Sequence, residues 1–398
     1  MSGTTRRGVL FALLVVFFDM LASAMPIPVL PPLLLQLLGH DPVAAARTAG
    51  ILGTVFSAMQ LLFGPLQGAL SDRFGRRPVL IVSCLGLAGA QAVAALAPTW
   101  QWLLLGRVLA GVAAANVSTA TAYLADILPE SERAAGFGRI GIAFGVGLVL
   151  GPVVGGILGG FGLRVPFWAG AVVGLFNAGW AAFALTESLP PERRARFRLG
   201  RANPVGAMGL LLSDPRLSRL SAAIGLSLLA QQALISVFIL SATIRFGWGP
   251  HELGLAMGGV GVCYALVGGV LVQPAIRRFG QRATLAAGLV FGIAGFVMLA
   301  LAPDGRVFVL SIPVVSLWGL AGPVTQGAMS RLVGPDAQGR LQGASTSLAG
   351  LAGVVGPSLF GGALAFALRT HGLPGLPFAI AAGLLLAALP VAVRAARD

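Results

Sequence analysis

Long stretches of Leu, Val, Ala, Gly and Phe run along this chain, separated by short turns that carry most of its charge. The apolar positions do not alternate with a period of two. They are continuous over about 20 residues or more, the length a helix rising 1.5 Å per residue needs to cross a ~30 Å hydrocarbon layer. Twelve such runs predict helical spans, over residues 8–37, 48–70, 78–97, 101–127, 136–160, 165–186, 217–244, 251–275, 282–302, 306–331, 341–367 and 374–394. A transmembrane barrel would instead show roughly ten-residue segments of alternating polarity. The pattern therefore predicts an all-α, polytopic membrane protein.

The runs fall into two groups of six. Between them lies the longest polar stretch, with ESLPPERRARFRLGRANP at its centre, which cannot span a bilayer. This predicts an N-terminal six-helix bundle over 1–186, a cytoplasmic linker over 187–216 and a second bundle over 217–398. The halves echo one another: RFGRR at 73–77 is answered by RFGQR at 278–282, and the pair Gly151, Pro152 by Gly356, Pro357. Both landmarks are displaced by 205 residues, as in a duplicated chain. In such repeats the substrate site lies between two bundles that rock alternately.

Composition agrees and narrows the function classes. Hydrophobic residues make up 57% of the chain and charged ones only 10%, far from soluble domains. The net charge of +14 does not indicate a nucleic-acid partner, because the basic residues are scattered through short loops and form no groove-tracking stripe. All 27 basic residues are arginine, and their placement sets the topology. Arg47, Arg164, Arg245, Arg306 and Arg369 fall on one side, Arg107 within a span, and the other 21 on the opposite side. That bias predicts both termini in the cytoplasm. Cys84 and Cys263 lie inside apolar runs, and His40, His251 and His371 are dispersed, so no disulfide, metal site or cofactor is expected. No GxxxxGK[ST], nucleophile elbow or HExxH occurs, which speaks against ATP-driven transport and against an enzyme. The N-terminal run is read as a span, not a signal peptide, since Asp19 and the prolines at 26, 28, 31 and 32 interrupt a short apolar core.

Two ionisable residues lie within spans, Asp19 and Arg107. Asp19 is roughly a dozen residues into its helix and so about 18 Å deep. A charge at the bilayer centre costs at least about 2.5 to 3.5 kcal/mol and should face a cavity or a partner. Alternation between wet and dry settings would let Asp19 load and release a proton; a structural hydrogen bond beside the prolines is the plainer alternative. Arg107 is a partner for Asp19, a counter-charge that tunes its protonation, or a side chain reaching for the outer interface near Trp100 and Trp102. Helix 5 reads GIAFGVGLVLGPVVGGILGG, where Gly147, Gly151 and Gly155 share a face, Gly156 follows, and Pro152 bends the helix. The uncharged polar residues Gln60, Asn116, Ser118, Thr119, Gln231, Gln232 and Gln326 are candidates for cavity lining, or for hydrogen bonds between helices.

GALSDRFGRRPVL at 68–80 resembles the loop 2–3 motif of the major facilitator superfamily. LGRVLAG around Arg107 resembles its helix 4 motif, and GVGLVLGPVVGG the helix 5 motif of its drug/proton antiporters. DMLASAMPIPVLP, AYLADI, APTWQWLLLGRVLAG and QGRLQG extend the resemblance over almost the whole chain, towards the tetracycline efflux antiporters. It implies a major facilitator fold and proton-coupled export of a small amphipathic or drug-like molecule, as in antibiotic and multidrug resistance. The protein would work as a monomer in the bacterial inner membrane. It also implies that Gly68, Asp72, Arg73, Gly75, Arg76 and Arg77 form a conformational latch, with Asp72 near the start of helix 11. Gly68 would let helices 2 and 11 pack closely, and Gly75 would permit the tight turn. The tetracycline antiporters carry further membrane acids where this chain has Ala90 and Gly292, and a histidine that aligns with Tyr264, here a cavity candidate. Proton coupling would therefore rest on Asp19. A metabolite exporter or uncoupled facilitator of the same fold is the alternative, and a membrane enzyme or sensor a remote one. Asp72→Asn is expected to slow transport while leaving membrane insertion intact; normal turnover by this variant would mean that the motif serves topology alone.

Overall fold

A computed structural model describes residues 3–114, 116–194, 206–334, 337–370 and 372–395. His371 and the central part of the expected linker lie outside them. Fifteen α-helices are found among the described residues: α1 (Gly3–Ala24), α2 (Leu30–Leu37), α3 (Pro42–Phe74), α4 (Arg76–Ala95), α5 (Trp100–Ala113), α6 (Asn116–Ile127), α7 (Glu130–Gly159), α8 (Val165–Ala184), α9 (Pro215–Phe246), α10 (Pro250–Leu266), α11 (Val272–Leu301), α12 (Gly305–Ser316), α13 (Ala321–Arg331), α14 (Gln338–Arg369) and α15 (Leu376–Ala395).

These helices make eleven runs long and apolar enough to cross a membrane, one of which, Pro250–Leu301, contains 52 residues. At 1.5 Å per residue such a run measures about 78 Å, enough to cross twice. It turns at Gly280, where the backbone takes φ 76° and ψ 166°, a conformation that only glycine adopts readily. Twelve crossings result, as the hydrophobic pattern predicts.

Several predicted spans are broken within. The run 8–37 is not one helix: α1 ends at Ala24, turns occupy 25–29, and α2 resumes at Leu30. Pro26 and Pro28 lack the N–H groups that a continuing helix would use. The run 101–127 divides into α5 and α6. A 3₁₀ turn, Leu317–Leu320, separates α12 from α13, and a π-helical turn, Val267–Leu271, joins α10 to α11.

The described residues divide into two units. The first holds Met1–Leu37, Val55–Asn203 and Gly249–Gly258; the second holds Leu38–Thr54, Pro204–Trp248 and Gly259–Asp398. In the first, α1 packs on α7 and α8, and α4 on α8 and α5; in the second, α9 packs on α14 and α15, and α11 on α15 and α12. The helix pairings thus repeat with the sequence. So does the turn glycine, with Gly75 at φ 106° and Gly280 at φ 76°.

Glycine makes the close approaches possible. Within the first unit, a Cβ on Gly147 would lie 2.7 Å from the Phe17 carbonyl oxygen, and one on Gly151 would lie 2.5 Å from the Ala24 Cβ. A Cβ on Gly155 would collide with the Met25 carbonyl. The same α7 presents Gly156 to α10, where its Cβ would lie 2.6 Å from the Pro250 carbonyl oxygen and 2.9 Å from Gly254 Cα. The second unit repeats this contact: a Cβ on Gly361 of α14 would lie 2.6 Å from the carbonyl oxygen of Ala46 and 3.0 Å from Gly50 Cα. Thr54 then ties α3 to α14, donating to the Val354 carbonyl at 2.8 Å with its hydroxyl 2.7 Å from that of Ser358. Since these backbones touch, added volume forces them apart, at about 1 to 3 kcal/mol per site. Gly155→Ala is expected to lower the thermal unfolding midpoint of the purified protein, whereas Gly145→Ala, whose Cβ meets nothing within 4 Å, leaves it unchanged or raises it.

Candidate functional site

Asp19 is 4% exposed and is the sole acidic or basic side chain in the buried set among the described residues. It sits on α1, where the Asn116 amide Nδ2 donates to its Oδ1. Asn116 is the first described residue of α6, and its side chain brings an amide to the carboxylate on α1. The Asn116 Oδ1 has no hydrogen-bond partner, and neither has the buried hydroxyl of neighbouring Thr119. An amide can serve both charge states of an acid: its NH₂ donates to a carboxylate, and its oxygen, once the group turns over, accepts from a carboxylic acid.

Arg107 makes no ion pair with Asp19. The ion pairs found among the described residues are those of Arg76 with Asp72 and Asp126. On α5 the Arg107 guanidinium lies over the Phe56 ring, 5.7 Å from its centroid, a cation–π contact. Direct pairing with Asp19, one of the roles open to Arg107 from sequence, is therefore not the arrangement in this structure.

The charged turn forms a compact network inside the first unit. Arg76 donates through Nη1 to Asp72 at 2.6 Å and to Ser71 at 3.1 Å, and through Nε to Asp126 at 3.1 Å. Ser188 donates to the same Asp126 oxygen at 3.0 Å. Glu187, which the sequence places only at the start of the linker, caps α4: it accepts from the backbone N–H of Arg76 at 2.9 Å and of Arg77 at 3.3 Å. A carboxylate there meets the free N–H groups and the positive end of the helix dipole. Gly75 is obligatory on two counts, its positive φ and the Glu187 carboxylate occupying the space where a Cβ would project. Arg77 donates to the Ala182 carbonyl, and Arg73 lies over the Phe74 ring at 5.1 Å. A Cβ on Gly68 would meet nothing within 4 Å. Asp126 lies in the AYLADI stretch of the resemblance, but nothing in that stretch names its partner, and Glu187 has only its acidity to hint at the pairing.

A cavity of about 340 Å³ lies within the second unit, lined by residues that include Gln231, Tyr264, Trp318, Thr325, Gln326 and Ser345. Its size falls within the range of small-molecule sites. Tyr264 and Gln326 thus share one cavity, and Gln326 also donates to Gln342 at 3.2 Å. Gln232, expected to line a cavity, is placed elsewhere: its Cβ and Cγ press on Gly356 of α14, and it is the adjacent Gln231 that reaches the space. A one-residue shift rotates a helical side chain by about 100°, which composition cannot resolve. Gln60 is exposed on α3. Trp318 enters through the 3₁₀ turn and stands edge-on to Phe296 at 5.8 Å. It also fills the ground beside Gly292, where a Cβ would lie 2.9 Å from the indole Cγ and 2.7 Å from Leu385. Ala90, 3% exposed, is likewise packed. Neither position has room for a carboxylate.

Comparison with known proteins follows this geometry. Residues 12–357 match the Major Facilitator Superfamily. The chain is 34% identical to the tetracycline resistance protein, class C, of Escherichia coli over 381 residues, 96% of this chain and 95% of that one. It is 26% identical to multidrug resistance protein 2 of Bacillus subtilis over 370 residues, 89% and 88% of the two chains. Among solved structures it is similar to the human organic anion transporter MFSD10, with a TM-score of 0.69 and 25% identity over 98% of this chain and 99% of that one. The nucleoside transporter NupG, at 14% identity and a TM-score of 0.79 over 98% and 99%, shares the fold. This chain belongs to the Major Facilitator Superfamily and is a multi-pass membrane transporter of small molecules, not an enzyme.

Proposed function

We propose that the protein exports a small amphipathic, drug-like molecule from the bacterial cytoplasm in exchange for protons. In this reading the halves 1–186 and 217–398, joined by a cytoplasmic linker over 187–216, open alternately to the two sides of the inner membrane. Both termini face the cytoplasm, and the monomer is the working unit. The observation that carries the reading is the burial of Asp19, an acid within a span and without an ion pair among the described residues.

The energetics allow it. An ionised Asp19 held by one amide gains about 1.5 to 3 kcal/mol from a hydrogen bond to a charged group, against about 2.5 to 3.5 kcal/mol for placing the charge at membrane depth. These are close, so a modest change of surroundings decides whether the proton stays. Each proton that enters down the membrane potential supplies about 2.3 kcal/mol per 100 mV before any pH gradient is added. In the proposed cycle Asp19 is protonated from outside, the Asn116 amide turns to meet the acid, the conformation switches, and the proton is lost to the cytoplasm as substrate binds.

The tetracycline and multidrug resistance relatives support a drug-like cargo. The latch residues Asp72, Arg73, Arg76 and Arg77 with Gly68 and Gly75 would set the relative stability of the two open states. The helix 5 motif, Gly147, Gly151, Pro152, Gly155 and Gly156, would keep the helices close enough to switch without leaking. In inverted membrane vesicles energised by respiration, Asp19→Asn is expected to abolish proton-driven substrate accumulation at unchanged protein level. Accumulation equal to wild type would reject Asp19 as the coupling site.

A further inference from the structure

We propose that the cavity in the second unit is the seat of an uncharged aromatic molecule that carries hydrogen-bond acceptors, held without any ion pair or metal bridge. This rests on the export reading and narrows its cargo. The argument begins with what lines the space. Alongside Ser227, Gln231, Thr325, Gln326 and Ser345, the described walls are built from alanine, leucine, isoleucine, glycine and proline together with Tyr264 and Trp318. No Asp, Glu, Arg or His is among them. A cation seated here would lose its hydration with no carboxylate to replace it, and an anion would lack a guanidinium, so charge of either sign is disfavoured. Gly292, the adjoining position, is closed to an acid by Trp318 and Leu385.

What the cavity offers instead is aromatic surface and hydroxyl groups. The Tyr264 ring lies against Gly319, with its Cδ1 and Cε1 at 3.4 and 3.6 Å from where a Cβ would stand, and Trp318 is 7% exposed. Flat rings so placed favour a flat partner. The Tyr264 and Ser345 hydroxyls are both buried and have no hydrogen-bond partner, although both residues line this space. Buried polar atoms are almost always satisfied, and two such orphans at one cavity point to a ligand that accepts from them. Gln231 and Gln326 supply amides that both donate and accept. Because Asp19 is not among the lining residues, this ligand and the proton do not compete for one carboxylate.

The test is equilibrium binding to the full-length protein in lipid nanodiscs, with radiolabelled chloramphenicol as the neutral aromatic probe and ethidium as a permanently cationic one. Saturable chloramphenicol binding that ethidium does not displace is expected. Combining Tyr264→Phe with Ser345→Ala should weaken it about tenfold, the effect of losing two ordinary hydrogen bonds. Removing hydroxyls that have no protein partner should leave the thermal unfolding midpoint in place, so a loss of binding is not a loss of fold. Ala349→Leu, which fills the space without touching either hydroxyl, should abolish binding. The proposal is overturned if chloramphenicol does not saturate, if ethidium binds in its stead, or if the hydroxyl variants bind as tightly as wild type. Binding is read without a gradient, so the two readings fail separately. A chain that binds the neutral probe but exchanges no protons keeps the cavity and loses the coupling; one that exchanges protons for ethidium does the reverse.

Discussion

A carboxyl group buried at membrane depth with a single side-chain hydrogen bond is the constraint around which this protein is arranged. Asp19 is held on α1 by the amide of Asn116 and is sealed from solvent. A fixed structural ion pair would remove the instability of such a group, but Arg107 is engaged with Phe56 instead. Under the proposed export cycle, a buried carboxyl without a fixed ion pair is the group that would take up and release the proton.

Close packing carries that local balance into the rest of the fold. α1 lies on the glycine face of α7, where Met25 and Gly155 touch backbone to Cα. An adjoining face of α7 contacts α10 through Gly156 and Gly254, and α14 repeats this towards α3 through Gly361 and Gly50. Contacts between bare backbones have no soft side chains to absorb displacement, so helices joined this way shift together or not at all. The charged turn before α4 adds a polar anchor, because Glu187, Asp126 and Asp72 converge on Arg76 and the α4 N-terminus. In the second unit the corresponding turn keeps its glycine but has Gln281 in place of Arg76, and Arg331 donates to that glutamine at 2.5 Å. Both turns keep their shape, while the acidic network is confined to the first.

Much of the fold was legible because the bilayer imposes one strong rule, that a span be long and apolar. The positions of the crossings, the twofold echo at 205 residues and the isolation of Asp19 all follow from it. What could not be read were the interruptions at 25–29, between α5 and α6, and at Leu317–Leu320, since hydropathy does not register the loss of a few backbone hydrogen bonds inside an apolar run. The cavity was partly visible through Tyr264 and Gln326. Sequence alone could not choose between the neighbours Gln231 and Gln232, because helical phase is lost without knowing which face packs. Trp318 and Ser345 looked like ordinary core and helix residues, and only their position beside an open space gives them meaning. Glu187 was hidden for another reason, as it acts more than a hundred residues away from the turn that it caps.

Carbodiimide labelling addresses the central claim most directly, because an apolar carbodiimide reaches membrane-embedded carboxyl groups and reacts with the protonated form. The purified protein in lipid should yield an adduct on the peptide that contains Asp19, its amount falling as pH rises and the group ionises. Absence of that adduct across the range from pH 5 to 9, or a yield that does not change with pH, would mean that Asp19 exchanges no proton, and the account would fail.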